Sequence, residues 1–203
     1  MTDNGTALEG HGGDHAVAVA RNHGVQTMWT LSGAHVFPLY DGAVKAEPPM
    51  RLVDVRHEPS AVFAAEATGK LTRTPGLAVL TAGPGVTNGV SPIAQAQFNG
   101  SPLVVIGGRA PTQRWGMGSL QELDQPPIMA SITKSALTEL EVTGVAGAVD
   151  RAFTAADDRP AYSHGLAERS CSSTTSMTSA RSRGGSANRG SSSGPCARTP
   201  SAS

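Results

Sequence analysis

Two apolar runs, each broken by a turn and followed by a helix-forming stretch, constrain the fold of this sequence more than any other feature. Leu52 to Val55 ends at Arg56-His57-Glu58, and Pro59 then opens a helical segment, Ser60 to Lys70. Leu77 to Thr81 ends at Ala82-Gly83-Pro84-Gly85, before a second helical segment, Val86 to Gln97. Short apolar runs alternating with helical patterns read as βα units, and parallel strands connected in this way bring their following turns to one edge of the sheet. Open α/β sheets bind ligands at that carboxyl edge. An acid and a glycine-rich turn are therefore expected to be neighbours there.

The same alternation extends to about Asp158, so an α/β domain over residues 13–158 is predicted, a parallel sheet with helices on both faces. Gly13 to His23 places Ala16, Val17 and Ala20 on one helical face, with Gly24 where a helix would stop. Gln26 to Leu31 reads as a strand, and Ser32-Gly33-Ala34 as a tight turn into a helix from His35 to Lys45. Leu103 to Ile106 is another strand. Gly107 to Pro127 is rich in Gly, Pro, Gln and Arg and has no period, which predicts a long loop crossing the carboxyl edge. Thr133 to Leu140 reads as a final strand and Thr143 to Ala156 as a closing helix.

After Pro160 the composition changes abruptly. The remaining residues contain no Val, Ile, Phe, Trp, Asp or Lys and are dominated by Ser, Gly, Ala, Thr and Arg. Such a stretch buries too little apolar surface to offset its ordering entropy, so residues 159–203 are expected to form a disordered tail. A lost reading frame near Arg159 is the reading preferred for this switch, over a flexible tail or one with weak affinity for RNA or membrane. Charge elsewhere is balanced, with 16 Lys and Arg against 16 Asp and Glu, so no whole-chain field points to nucleic acid or an anionic membrane. No apolar run approaches the roughly 20 residues of a membrane helix, and the start lacks a basic region and an apolar signal core, which points to the cytoplasm. Cys171 and Cys196 both fall in the tail, and the six histidines show no close pairing, so no disulfide framework or metal site is expected.

The two junctions admit two readings each. Glu58 serves either as a carboxylate at a helix start, satisfying the helix dipole, or as a partly buried carboxyl that shares a proton with a heterocycle nitrogen. Arg56 and Glu66 are taken as surface or salt-bridging charges. Gly83-Pro84-Gly85-Val86-Thr87-Asn88 lacks the Lys-Ser/Thr pair of a P-loop and the GxGxxG spacing of a dinucleotide turn. It is either a plain βα turn or a place where backbone approaches a flat neutral ring, with the Asn88 amide as donor and acceptor.

Taken together, RHE at 56–58, the FAAEA helix, TAGPGVTN at 81–88, SPLVVIGG at 101–108 and LQELDQ at 120–125 resemble the N-terminal pyrimidine-binding domain of thiamine diphosphate enzymes. The pattern is most similar to the acetolactate synthase large-subunit group, which serves branched-chain amino acid biosynthesis. The resemblance implies that Glu58 contacts N1′ of the cofactor's pyrimidine and favours the imino tautomer, whose N4′ takes the thiazolium C2 proton. It implies that Pro84 and Asn88 line the aminopyrimidine pocket and that Gly33 and Gln121 face the substrate. Two positions depart from the synthase pattern: Gly107-Gly108-Arg109 stands where Thr-Gly-Gln is usual, and Leu120 where Phe is. A related decarboxylase or carboligase of 2-oxo acids or acyl-CoA substrates therefore stays open, with Arg109 as a substrate-side candidate for a carboxylate or else an exposed loop arginine.

Full-length members of the family also have a middle domain and a C-terminal domain whose GDG...N motif holds Mg²⁺ and the diphosphate; some use FAD. This sequence has no GDG motif. The resemblance thus implies a truncated chain, inactive alone, that self-associates or pairs with a chain carrying the diphosphate-binding domain. The alternative is a non-catalytic or degenerate module.

Overall fold

The computed structural model describes residues 10–158 in full and residues 172–178 as backbone. Helix α1, Gly12–Asn22, opens on a reciprocal cap. The His11 ring Nδ1 accepts the N–H groups of Gly13 and Asp14, while the Asp14 carboxylate accepts the His11 N–H at 2.9 Å. After β1, Thr27–Thr30, a 3₁₀ turn at Ala34–Val36 leads into α2, Phe37–Lys45, with Pro38 in its first turn. Strand β2, Arg51–Asp54, feeds α3, Glu58–Thr72, and β3, Gly76–Leu80, feeds two short helices, α4, Pro84–Asn88, and α5, Val90–Asn99. Strand β4, Leu103–Arg109, precedes the long loop, in which α6, Pro126–Met129, is a single turn. Strand β5, Ser135–Glu139, and α7, Val142–Asp157, follow.

All pairings are parallel, and with β6, Ser172–Thr178, the strand order is β2-β1-β3-β4-β6-β5. Residues along β3 and β4 alternate between two cores. Leu77, Val79, Val104 and Ile106 face α1, α2 and α7 with Met28 and Phe153, while Ala78, Leu80, Leu103 and Val105 face α3 and α5 with Val62 and Ile93. Burial on both faces explains why these strands read as continuous apolar runs rather than alternating ones. On the second face α3 lies backbone to backbone on the sheet. A Cβ added at Gly69 would sit 2.1 Å from the Pro102 carbonyl oxygen, and one at Gly76 would sit 1.8 Å from that of Ala65.

The α/β architecture agrees with the sequence, and the differences are local. The segment 86–97 is broken at Gly89, whose N–H bonds to the Val86 carbonyl while α5 restarts beyond it. Strand β4 runs three residues past Ile106 because its ladder continues, Leu80 opposite Gly107 and Arg109 opposite Thr178. Seven residues of the segment read as tail pair as β6 between β4 and β5; backbone pairing is open to any sequence without proline, and three of the seven are β-branched threonines. The rest of the tail expectation, with both cysteines, lies outside the described residues. Among the described residues no helix is long and apolar enough to cross a membrane.

Candidate active site at the carboxyl edge

Strand order reverses beside β1, whose neighbours are β2 on one side and β3 on the other. A crevice at such a switch point is where an open α/β sheet receives a ligand. Three turns converge there. The chain leaving β1 brings Gly33 against the side chain of Thr81 at the end of β3, where a Cβ on Gly33 would lie 2.3 Å from the threonine Cβ. The chain leaving β2 starts α3 at Glu58, whose residue is only 8% exposed. The chain leaving β3 turns at Gly83, with φ 53° and ψ −109°, a conformation open to glycine and costly for other residues.

The Asn88 side-chain amide donates to Glu58 Oε2 at 2.9 Å. A Cβ at Gly85 would meet Thr81 Cγ2 at 2.6 Å and lie 3.6 Å from Glu58 Oε1, so Glu58 and Thr81 flank a glycine with nothing projecting between them. Among the described residues Oε1 has no hydrogen-bond partner. Pro84 is exposed as the first residue of α4. A carboxyl oriented by one amide, beside bare backbone at Gly83 and Gly85, suits the edge of a planar ring with a basic nitrogen. The donor set contains no lysine or arginine and suits no phosphate.

The loop from 110 to 125 closes over this edge. Gln121 has φ 57°, and its carbonyl would lie 2.4 Å from a Cβ on Gly83, so the loop rests on the glycine turn. Gln125, 1% exposed, donates to the Gly108 carbonyl at 2.8 Å. Glu122 accepts the N–H groups of Gly116 at 2.5 Å and Ser119 at 3.3 Å, and the Trp115 indole donates to Ala110 O at 2.7 Å. Arg109 is not an exposed loop arginine. It ends β4, is 8% exposed, pairs with Asp124 at 3.0 Å, donates to Thr138 at 3.3 Å and stacks on Trp115 with its guanidinium carbon 3.7 Å from the ring centre. Its Nε is buried without a partner. The carboxylate it holds is one of its own loop, Asp124.

Three groupings escaped the sequence reading. Glu66 is not a surface charge: at 4% exposure its carboxylate accepts from Gln95 at 3.4 Å, Asn99 at 2.6 Å and Ser101 at 3.1 Å, binding α3 to α5 and the turn into β4. The Gln95 and Asn99 spacing, one helical turn, was the available signal. His35, in the turn after β1, lies with Nδ1 3.4 Å from Thr81 Oγ1. His11, Asp14 and Asp41 form a cluster of metal-ligand type where no metal site was expected. Its atoms are engaged in the α1 cap and in pairs from Asp41 to His11 at 2.6 Å and Lys45 at 2.5 Å. These hydrogen bonds, His11 first and Lys45 second, hold the Asp41 carboxyl below its ordinary range, and Asp41 correspondingly raises Lys45. Behind the crevice, burial pushes the Tyr40 hydroxyl up, partly offset by its hydrogen bond to Thr30, which joins β1 to β3 through Val79. Arg56, by contrast, is the surface charge expected, 3.5 Å from Asp54.

Comparison with known proteins identifies the family. Residues 10–128 match the family described as thiamine pyrophosphate enzyme, N-terminal TPP binding domain. The chain is 49% identical over 159 residues to a probable acetolactate synthase of Mycobacterium bovis and, to the same extent, to an acetolactate synthase large subunit of Mycobacterium tuberculosis, covering 78% of this chain and 29% of each relative. It is 40% identical over 146 residues to 2-hydroxyacyl-CoA lyase 2 of Danio rerio, covering 72% of this chain and 23% of that one. The chain thus spans less than a third of the length of these relatives. It belongs to the thiamine pyrophosphate enzymes, and what it carries is their N-terminal cofactor-binding domain.

Proposed function

We propose that this chain supplies the aminopyrimidine side of a thiamine diphosphate site in an acetolactate synthase-like enzyme, which decarboxylates a 2-oxo acid and joins the acyl fragment to an acceptor carbonyl. Bound thiamine diphosphate would supply the nucleophilic carbon. The chain's own part is to hold a proton at one place: Glu58 shares it with the ring nitrogen, and Asn88 fixes which carboxyl oxygen faces the ring. Gly83 and Gly85 let the ring lie against backbone, Pro84 borders it, and Gly33 and Gln121 face the substrate, with the 110–125 loop excluding water. Arg109, tied to Asp124 and Trp115, shapes that loop and reaches a substrate carboxylate only if Asp124 yields.

The diphosphate and Mg²⁺ would be held by a second domain, supplied by a complementing chain that carries it. The observation that carries this reading is Glu58, buried at the switch point and oriented by Asn88. Calorimetric titration of thiamine into the chain should show weak binding that Glu58→Gln lowers at least several-fold; equal binding by both would refute the assignment. With thiamine diphosphate, Mg²⁺ and pyruvate, the 203-residue chain alone should consume no pyruvate, and turnover would refute the need for a partner. A lyase of 2-hydroxyacyl-CoA is the second reading, favoured by the 40% identity to such lyases. A complemented enzyme that cleaves a 2-hydroxyacyl thioester but leaves pyruvate untouched would establish it.

A further inference from the structure

Beyond Glu58, the crevice contains a second group with the chemistry to touch a substrate. His35 is half-buried in the turn after β1. A Cβ built on Gly108 would lie 2.6 Å from the His35 Cβ, so the root of the side chain is seated on the end of β4, and any residue larger than glycine at 108 would displace it. Its Nδ1 is 3.4 Å from Thr81 Oγ1, and Thr81 is the residue that flanks Gly85 opposite Glu58. The imidazole therefore stands one side chain away from the carboxyl, across the ends of β3 and β4.

Among the described residues the Thr81 hydroxyl has no acceptor other than His35. With Thr81 as the donor, Nδ1 accepts, and a neutral imidazole that accepts at Nδ1 carries its proton on Nε2. Nε2 has no partner among the described residues. A neutral ring held in one tautomer, with a free N–H beside the crevice, is a preorganised donor for an oxygen that gains negative charge.

We infer that His35 donates its Nε2–H to the carbonyl oxygen on carbon 2 of a 2-oxo acid substrate, and that Thr81 fixes the tautomer that makes this possible. The inference rests on the thiamine reading of Glu58. No proton need be transferred: the N–H bond stays intact while the carbonyl oxygen gains charge, and the hydrogen bond strengthens as it does so. This role suits a 2-oxo acid; the oxygen on carbon 2 of a 2-hydroxyacyl thioester is a hydroxyl that must lose its proton, and a ring already protonated at Nε2 does not take it.

The test is nitrogen-15 NMR of the 203-residue chain labelled at histidine, in mildly alkaline buffer, with His35→Gln used to assign the signal. Nε2 should resonate as the protonated nitrogen and Nδ1 as the unprotonated one. Thr81→Val, which keeps the shape and removes the hydroxyl, should yield a mixture of tautomers. In the presence of thiamine, pyruvate should shift the His35 signals and leave those of His23, bonded to Asp150 far from the crevice, unchanged. An unprotonated Nε2, an unaltered tautomer in Thr81→Val, or a His35 signal indifferent to pyruvate would overturn the inference. The Asn88 side-chain amide separates this from failure of the wider reading: if thiamine shifts the amide but pyruvate leaves His35 unmoved, the inference about His35 falls alone, and if thiamine leaves the amide unmoved, both fall.

Discussion

Glu58 and Glu66 lie two turns apart on one helix, both nearly inaccessible to water, and are opposite in kind. Glu66 accepts hydrogen bonds from three side chains, most of what a carboxylate can take. Glu58 accepts from one and keeps Oε1 free beside bare glycine. Burial alone therefore does not identify a working carboxyl. What separates the two is how much of the hydrogen-bonding demand the protein has already met: a carboxylate whose acceptor sites are mostly filled rigidifies, and one with a free oxygen has room for a partner.

The sharpest way to break this contrast is Glu58→Gln in an enzyme completed by its diphosphate-binding domain. Turnover should fall at least about 100-fold, while the thermal unfolding midpoint stays close to that of the parent. Near-normal turnover would remove the distinction. Glu66→Ala should do the reverse, costing about 2 kcal/mol of stability because the buried Ser101 hydroxyl loses its charged acceptor while the exposed amides of Gln95 and Asn99 turn to water, as measured by urea unfolding; a loss under about 0.5 kcal/mol would mean that Ser101 also re-pairs with water. Gly83→Ala strikes the open site through its backbone, adding a positive-φ penalty and a contact with the Gln121 carbonyl. It should cost about 1–3 kcal/mol, and proteolysis within residues 110–125 should accelerate. The smallest effect belongs to a third carboxylate, Asp41, which lies on the surface. Its folded-state pKa is depressed by His11 and Lys45, so its contribution is present above the ordinary carboxylate range and is lost as pH falls through the lowered value. Asp41→Asn should remove that small contribution at neutral pH and flatten the acid limb of the stability curve, so that variant and parent converge below about pH 4.

Much of this was legible in the sequence because the strands are buried on both faces and the turns carry their own chemistry. Leu77 to Thr81 and the Gly83 turn announce a strand and a junction without any knowledge of partners. Glu66 was not legible as a buried anchor, since its donors lie 29 to 35 residues further along and meet it only after α5 folds back beside α3. Nor was Arg109. A loop rich in Gly and Arg reads as exposed, yet Trp115 and Asp124 return to cover the guanidinium. His35 was hidden for a similar reason, because its partner Thr81 is 46 positions away and only the parallel pairing of β1 with β3 brings them together.

The backbone contact of α3 with the sheet, at Gly69 and Gly76, has a mechanical consequence. A helix seated without intervening side chains, and pinned by Glu66 at mid-length, cannot slide or rock to adapt to a guest. Glu58 is then a fixed post. Any tightening around a bound molecule then falls to the span from 110 to 125, which meets the glycine turn through the Gln121 carbonyl and is tied to β4 by Asp124 on Arg109 and by Gln125 on Gly108.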